Sequence, residues 1–503
     1  MIREILDRRF ILACLNDVRA QLGNLAGATG RRRSETGELP TEFKDLAPAD
    51  LKAAYEAVAA AQEREVRASS GQEGFDPPRS SGGTVGIAAG RRGAAEPALD
   101  SRVFLSRDPD ICTLQSALDE YFATRASERA GSDATSRNAS RAPGTQADTR
   151  RAARDTPRAD AALEPPDMVT DRYLLNVNNG RRLFEQFSVT DIRWISCLFA
   201  MAKRKFSKRH AFVTTPATSN IASRARLAVV GDWASGLPRA INVAQQMRTV
   251  LQQGMQEGIE QHAIHLGDTY YSGWPSEYRR RFLPHWPVSE AQTHRVPSWS
   301  LNANHDMYSG GDGYYDTLLR DPRFARQEGC SYFSLQSPHW RIVGLDTGWR
   351  DGDLEAPQGE WLRQECEEAH TRNQKVLLLS HHQLFSCYER GSDALEAAIG
   401  ELLAAGRVHA WIWGHEHRCI VYGPHAGLQY SACVGHGGVP VYMYQPEEGP
   451  YPAPAIWEDR RFIGRGLEHW AYMGFCVLDF DAEHLAVRYI DENGKEIHSG
   501  RIS

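Results

Sequence analysis

Residues 263–271 read AIHLGDTYY. A short apolar run gives way to Gly, then Asp, then polar and aromatic residues. Such a run, bounded by turn-forming residues, reads as a buried β-strand that hands over to a loop. The same figure recurs on both sides. Upstream it is LAVVGD at 227–232. Downstream it is VPSWSLNANHD at 296–306, WRIVGLDTG at 340–348, KVLLLSHH at 375–382, HAWIWGHEH at 409–417 and LQYSACVGHGG at 428–438. Stretches of helical spacing lie between, including PRAINVAQQMRTVLQQGMQEG from 238 and PQGEWLRQECEEAHTR from 357. Strands alternating with helices predict an α/β domain. Near the end, GFCVLDFD and LAVRYIDENGKEIH read as a hairpin.

Five of these runs end in residues that can bind a metal: Asp232, Asp268, Asn304 with His305, His381 with His382, and His415 with His417. In an open α/β sheet the loops at the carboxyl ends of the strands share one crevice. Residues far apart in sequence can therefore converge. An Asp after a strand is commonly only a turn residue or helix cap. The ordered set of five carries the reading. Carboxylate, amide oxygen and imidazole without thiolate make a hard-to-borderline donor set, suited to Fe, Mn or Zn. In GHEH the two imidazoles lie two residues apart on an extended segment, so they point to one side.

The ordered blocks GD, GDxxY, NHD, a strand-end His and GHxH resemble the calcineurin-like metallophosphoesterases, and within them the purple acid phosphatase branch. The resemblance covers about 226–503. It implies a metallophosphoesterase-type β-sandwich flanked by helices and two metal ions. Carried over residue by residue, one ion is held by Asp232, Asp268, Tyr271 and His417, and the other by Asp268, Asn304, His381 and His415. Asp268 bridges, and His305 stands beside the leaving group. Two departures from the family pattern occur. Ala234 stands where many members have a histidine ligand, and Asp268-Thr269-Tyr270-Tyr271 offers a tyrosine in compensation. Ala303 replaces the usual Gly before Asn304. The alternative for Tyr271 is a ring packed under the site, with Tyr270 or no tyrosine as ligand. His382, Glu416 and His436 are read either as phosphate or outer contacts or as structural residues. Asp346 matches no ligand block.

The chain has 503 residues, 41% hydrophobic and 24% charged, with a net charge of −6. These values suit a globular protein and exclude a wholly disordered or collagenous one. No global basic field recruits nucleic acid or anionic lipid. Nine cysteines without a CxxC pair suggest neither a zinc ribbon nor a disulfide framework. The charged N-terminus and the lack of a long apolar run lead to an expected cytoplasmic location without a membrane span.

Residues 1–70 are expected to be helical, with a second helix from Asp50. Residues 71–166 are expected to be a low-complexity, largely disordered linker containing one helical island, DPDICTLQSALDEYFATRA from 108. From 126 to 162 there is no Leu, Ile, Val, Met, Phe, Trp, Tyr or Cys, so little burial offsets the entropy of ordering. A helical lead-in is expected at 167–225.

The expected function is metal-dependent hydrolysis of phosphate esters, monoesters favoured, by a hydroxide activated at a dinuclear centre. The alternative is a phosphodiesterase or nuclease-type effector of signalling or defence, recruited to a protein partner through the N-terminal region. Nucleic acid stays open as a substrate. On the tether reading, removing everything before Asp167 leaves hydrolysis intact.

Overall fold

The computed structural model describes residues 56, 60, 108–117, 119–120, 209–439, 441, 451–463 and 470–502. Most of the expected N-terminal helices, of the linker and of the lead-in thus falls outside the described residues. Glu56 and Ala60 are helical, as are 109–117 and 119–120.

The strands in chain order are β1 Ala217–Asn220, β2 Arg224–Val230, β3 Glu260–His265, β4 Ser298–Ser300, β5 Phe333–Gln336, β6 Trp340–Gly344, β7 Lys375–Ser380 and β8 Ala410–Trp413. They continue as β9 Cys419–Tyr422, β10 Tyr430–Val434, β11 Ala455–Glu458, β12 Phe462–Ile463, β13 Trp470–Ala471, β14 Gly474–Asp481, β15 His484–Asp491 and β16 Glu496–Ile502. One sheet runs β16-β15-β14-β2-β3-β4 and a second runs β1-β5-β6-β7-β8-β10-β9-β11. β2, β3 and β4 are mutually parallel in the first sheet, and β6, β7 and β8 in the second.

The period of two along each strand sorts side chains between layers. Leu227 and Val229 of β2, Leu377 and Leu379 of β7 and Ile412 of β8 fill one core between the sheets. Ala228 and Val230 face outward into a second core, lined by helix α1 (Pro238–Gln256). Val376, Leu378, Trp411 and Trp413 face a third core, under α2 (Gln358–Thr371) and α3 (Asp393–Ala404). Both faces of these strands are buried, which is why they read as nearly continuous apolar runs rather than alternating ones. The result is a β-sandwich flanked by helices.

The helices begin and end where local chemistry directs. α1 has Pro at its first turn and buries Ala240, Val243, Ala244, Met247, Val250 and Leu251 on one stripe. Gly258, at φ +69°, follows its end. α3 is capped by Ser392, whose side chain accepts the Leu395 N–H at 3.2 Å.

One expectation is corrected and another extended. The last described part of the lead-in, expected as helix, holds β1, which pairs in parallel with β5. Pro216 and the Val and Thr residues of FVTTPAT disfavour a helix there. The C-terminal hairpin is present as β14 and β15, and β16 extends it to a three-stranded meander. Asp491 Oδ1 accepts the N–H groups of Asn493 and Lys495, each at 3.0 Å, and turns the chain through Gly494 into β16. Among the described residues no helix is long and apolar enough to cross a membrane.

Candidate metal centre

The loops after β2, β3, β4, β7 and β8 meet at one end of the sandwich, where the two sheets are stitched by backbone bonds. Gly231 N–H donates to the Val434 carbonyl and Gly437 N–H to the Gly231 carbonyl, each at 3.1 Å, across the sheets; within each sheet, Asp232 N–H donates to Gly267 and Gly414 N–H to the His381 carbonyl, each at 3.0 Å. A Cβ on Gly414 or Gly435 would lie 2.6 or 2.9 Å from Asp232 Oδ2, so glycine is needed for these loops to close on that carboxylate. Asp232, Asp268, His415 and His417 all have φ between +54° and +75°. Such φ values are uncommon for residues with a Cβ and gather at functional sites.

The polar atoms converge closely. His417 Nε2 is 3.3 Å from Asp232 Oδ1. His381 Nε2 is 3.0 Å from Asn304 Oδ1, 3.5 Å from Asp268 Oδ2 and 3.2 Å from His415 Nδ1. Asp232, Asp268, Asn304 and His381 are buried, with Asp232 and His381 at 0% exposure. His381 Nδ1 donates to the Leu266 carbonyl at 3.1 Å, since a carbonyl can only accept. That tautomer turns the bare Nε2 inward, and burial holds the ring's pKa well below the usual histidine value. Asn304 Nδ2 donates to Tyr308 Oη at 2.6 Å, which points the amide oxygen inward.

The centre is therefore a buried polar cluster in which the bare His381 Nε2 faces the Asn304 amide oxygen, an acceptor. Burial and the charges of Asp232 and Asp306 push Asp268 well above the carboxylate range. Burial also opposes the charge of Asp232, but His381, His417 and the His415 N–H hold its carboxyl below that range. A cation removes this conflict. The separations near 3.0–3.5 Å match the edge of a shell whose metal–ligand bonds are about 2.1 Å. Two groups, Asp232–Asp268–His381 and His381–His382–His415, each bring one ligand atom per residue within 4.8 Å.

Tyr271 is not brought to this cluster. Tyr270 Oη lies 3.1 Å from Asp232 Oδ1 and 3.0 Å from both Asp268 Oδ2 and His417 Nε2. Tyr271 instead packs under the Arg281 guanidinium, 4.3 Å from ring to Cζ, and burial pushes its phenol up to about 12. The reason is local. Thr269 pairs with Ala234 in an isolated parallel bridge, and the Tyr270 N–H donates to the Ala234 carbonyl at 3.3 Å, which holds Tyr270 beside the loop that carries Asp232. Counting to the fourth residue of Asp-x-x-Tyr names Tyr271, whereas the ring that lies against the cluster is that of Tyr270.

His305 stands at the cluster's edge. Its backbone N–H donates to Asp268 Oδ1 at 3.1 Å, its Nδ1 donates to the Tyr271 carbonyl at 2.7 Å, and its Nε2 is 3.9 Å from Asp268 Oδ2. Its ring lies between Tyr270 and Tyr308 at 4.6 and 4.7 Å. Ala303 adopts φ −140° and ψ 172°, extended backbone open to any residue, so alanine is accommodated where the pattern has glycine.

His382 stays beside the cluster, 4.6 Å from the His415 ring, with Nδ1 on Thr347 Oγ1 at 2.9 Å and Nε2 3.2 Å from Asp351. Glu416 turns away to accept from Trp413 Nε1 at 3.0 Å and from Ser386. Burial, then the charge of Glu389, pushes it up to about 8. His436 is buried, which lowers it to about 4, and neither of its ring nitrogens has a hydrogen-bond partner among the described residues.

Asp306, quoted in NHD but given no role, is the residue sequence reasoning missed. It accepts the N–H groups of Asp268 and Thr269, each at 3.0 Å, and the Tyr278 hydroxyl. Burial raises it to about 7. It fixes the loop that presents Asp268, and its place immediately after His305 was the available signal.

A family model described as calcineurin-like phosphoesterase matches residues 225–419. No curated protein sequence matches the chain. Among solved structures, the GAP50 anchor of the inner membrane complex of Plasmodium is similar at 15% identity over 56% of this chain and 89% of that one, with a TM-score of 0.42. A purple acid phosphatase from yellow lupin (Lupinus luteus) seeds is similar at 18% identity over 56% of this chain and 54% of that one, TM-score 0.42. A dimetal phosphatase from Danio rerio is similar at 13% identity over 56% and 98%, TM-score 0.38.

Proposed function

Because residues 225–419 form a calcineurin-like phosphoesterase domain, we propose that this chain hydrolyses phosphate esters, monoesters foremost, at a pair of metal ions. The observation that carries the reading is Asp268 Oδ2, which has Tyr270 Oη at 3.0 Å, His381 Nε2 at 3.5 Å and His305 Nε2 at 3.9 Å. One carboxylate thus stands between two groups of donors. Asp232, Asp268, Tyr270 and His417 would hold one ion; Asp268, Asn304, His381 and His415 would hold the other. Tyr270 takes the ligand role that the family spacing gives to Tyr271. When bound, such a pair supplies a nucleophilic water at neutral pH and neutralises the phosphoryl oxygens.

The remaining work falls to the chain. Asp306 and the Asp232 contacts hold the donor atoms in place before substrate arrives. His305, with Nδ1–H tied to the Tyr271 carbonyl, keeps Nε2 toward Asp268; in its protonated form it gives that proton to the departing alkoxide oxygen. The buried walls exclude bulk water and strengthen each charge interaction. Iron, manganese and zinc all suit the donor set; a phenol among the ligands favours trivalent iron.

The test is metal analysis of the purified protein together with turnover of a panel of phosphate mono- and diesters. Two metal ions per chain with monoester hydrolysis abolished by chelator supports the reading. A metal-free protein, or turnover indifferent to chelator, refutes it.

A further inference from the structure

The sequence places residues 108–120 within a linker, more than a hundred residues before the matched domain. The structure places 108–117 and 119–120 against the loop that follows β3. Asp108 caps the helix by accepting the N–H groups of Asp110 and Ile111 at 2.9 and 3.2 Å, and Pro109 occupies its first turn. Ile111, Cys112, Leu114 and Ala117 are 0–2% exposed and share one core with Trp233, Tyr270, Tyr271, Trp274 and Met307. Burial of this order is characteristic of a domain's own core rather than of a tether.

Two polar contacts on the helix are specific. Ser116 Oγ is 2.8 Å from Glu277 Oε1 and 2.6 Å from Ser272 Oγ, all buried. Glu277 in turn accepts the N–H groups of Tyr271, of Ser272 at 3.1 Å and of Trp274 at 2.9 Å. Asp119 pairs with Arg281 at 2.9 Å and with Arg280 at 3.0 Å. Arg281 Nη1 donates to the Tyr270 carbonyl at 3.2 Å and to the Ser235 carbonyl at 3.3 Å. The two relays end on one peptide group: its C=O, from Tyr270, is held by Arg281, and its N–H, from Tyr271, by Glu277. Tyr270 on one side of that peptide carries the phenol of the centre, and the Tyr271 carbonyl on the other side receives His305 Nδ1–H.

We propose that the helical residues 109–117 and 119–120 are part of the catalytic unit, and that Ser116 and Asp119 are positioning residues that hold the Tyr270–Tyr271 peptide through Glu277 and Arg281 and so orient His305. The catalytic unit then extends beyond the matched residues to a segment far upstream, and deletion of everything before Asp167 removes a component of the site. The inference rests on the phosphoesterase reading only for its kinetic arm.

The experiment uses the full-length chain with Ser116→Ala, Asp119→Asn and both together, each compared by thermal melting so that a variant that does not fold is set aside in favour of the single changes. Two quantities are read. One is the ring N–H resonance of His305 in protein labelled with ¹⁵N-histidine, assigned by its loss in His305→Ala; it reports the Nδ1–H bond to Tyr271 without any turnover. The other is kcat across aryl and alkyl phosphates of graded leaving-group pKa. Loosened positioning should speed exchange of the ring proton and lower kcat about 10- to 100-fold for poor leaving groups, with little loss for good ones. An unchanged resonance with unchanged kinetics overturns the inference. So does a uniform kcat loss with the resonance intact, which is the mark of a merely structural helix. A rise in activity also overturns it and makes the segment a cover on the site. If the ring proton responds as expected while the parent hydrolyses no ester, the positioning inference stands and the phosphoesterase reading falls.

Discussion

Tyr270→Phe and Tyr271→Phe remove the same atom from neighbouring residues, yet the structure gives them opposite consequences. Tyr270 Oη touches Asp232, Asp268 and His417 within 3.1 Å. In the metal-free protein, loss of a hydrogen bond to charged partners costs about 1.5–3 kcal/mol. With metal present, one of the four protein donors proposed for the first ion disappears. Loss of even an outer partner lowers metal affinity about 10- to 100-fold, or about 1.4–2.8 kcal/mol, so that range is a lower bound for a ligand. Tyr271 Oη faces none of these groups, and a phenylalanine there keeps the ring beneath Arg281. The assay is metal content after dialysis against graded chelator, read together with the visible phenolate-to-Fe(III) band of the oxidised iron-loaded protein. Tyr270→Phe should lose the band and the first ion before the second; Tyr271→Phe should keep both. If Tyr271→Phe loses them and Tyr270→Phe does not, the family spacing is right and the geometric assignment is wrong.

Asp268→Asn should weaken both ions at once, seen as metal per chain falling well below the parent; retention of both ions with full activity would remove its bridging role. His305→Ala should lower turnover about 10²- to 10⁴-fold while metal content holds, and loss of metal would make it a ligand. His265 is buried among Trp233, Phe282 and Trp286, and burial lowers its pKa to about 3. Between that value and about 6.5 the unfolded chain binds the extra proton, so stability is full above pH 6.5 and is lost as pH falls. By pH 5 the loss is about 2 kcal/mol, and in urea titrations His265→Phe should flatten that part of the profile; an unchanged slope would refute it. Limited proteolysis should cut within 126–162, which lacks large apolar residues. The pieces should stay associated on a sizing column because residues 111–117 are buried in the domain core, and clean separation would contradict that packing.

The strands and the order of the ligand loops were legible from residues alone. LAVVGD, AIHLGD, KVLLLSHH and HAWIWGHEH are apolar runs that can only be buried on both faces, and each ends in a residue that is unfavourable to bury without a partner. That is a local signal, carried by patterning over six to ten residues. Three matters were not local. Which of two adjacent tyrosines enters the centre depends on the bridge between Thr269 and Ala234, a contact 35 residues apart that composition does not encode. Whether 217–220 is helix or strand depended on the free edge of β5 beside it. The fate of the island that begins at 108 depended on distant partners, Glu277 for Ser116 and Arg281 for Asp119, for an amphipathic segment has the same sequence whether it floats in a linker or fills a core. Patterning specifies which side chains must leave water; only the tertiary structure decides against what they are buried, because that choice is made by shape and by polar partners distant in the chain.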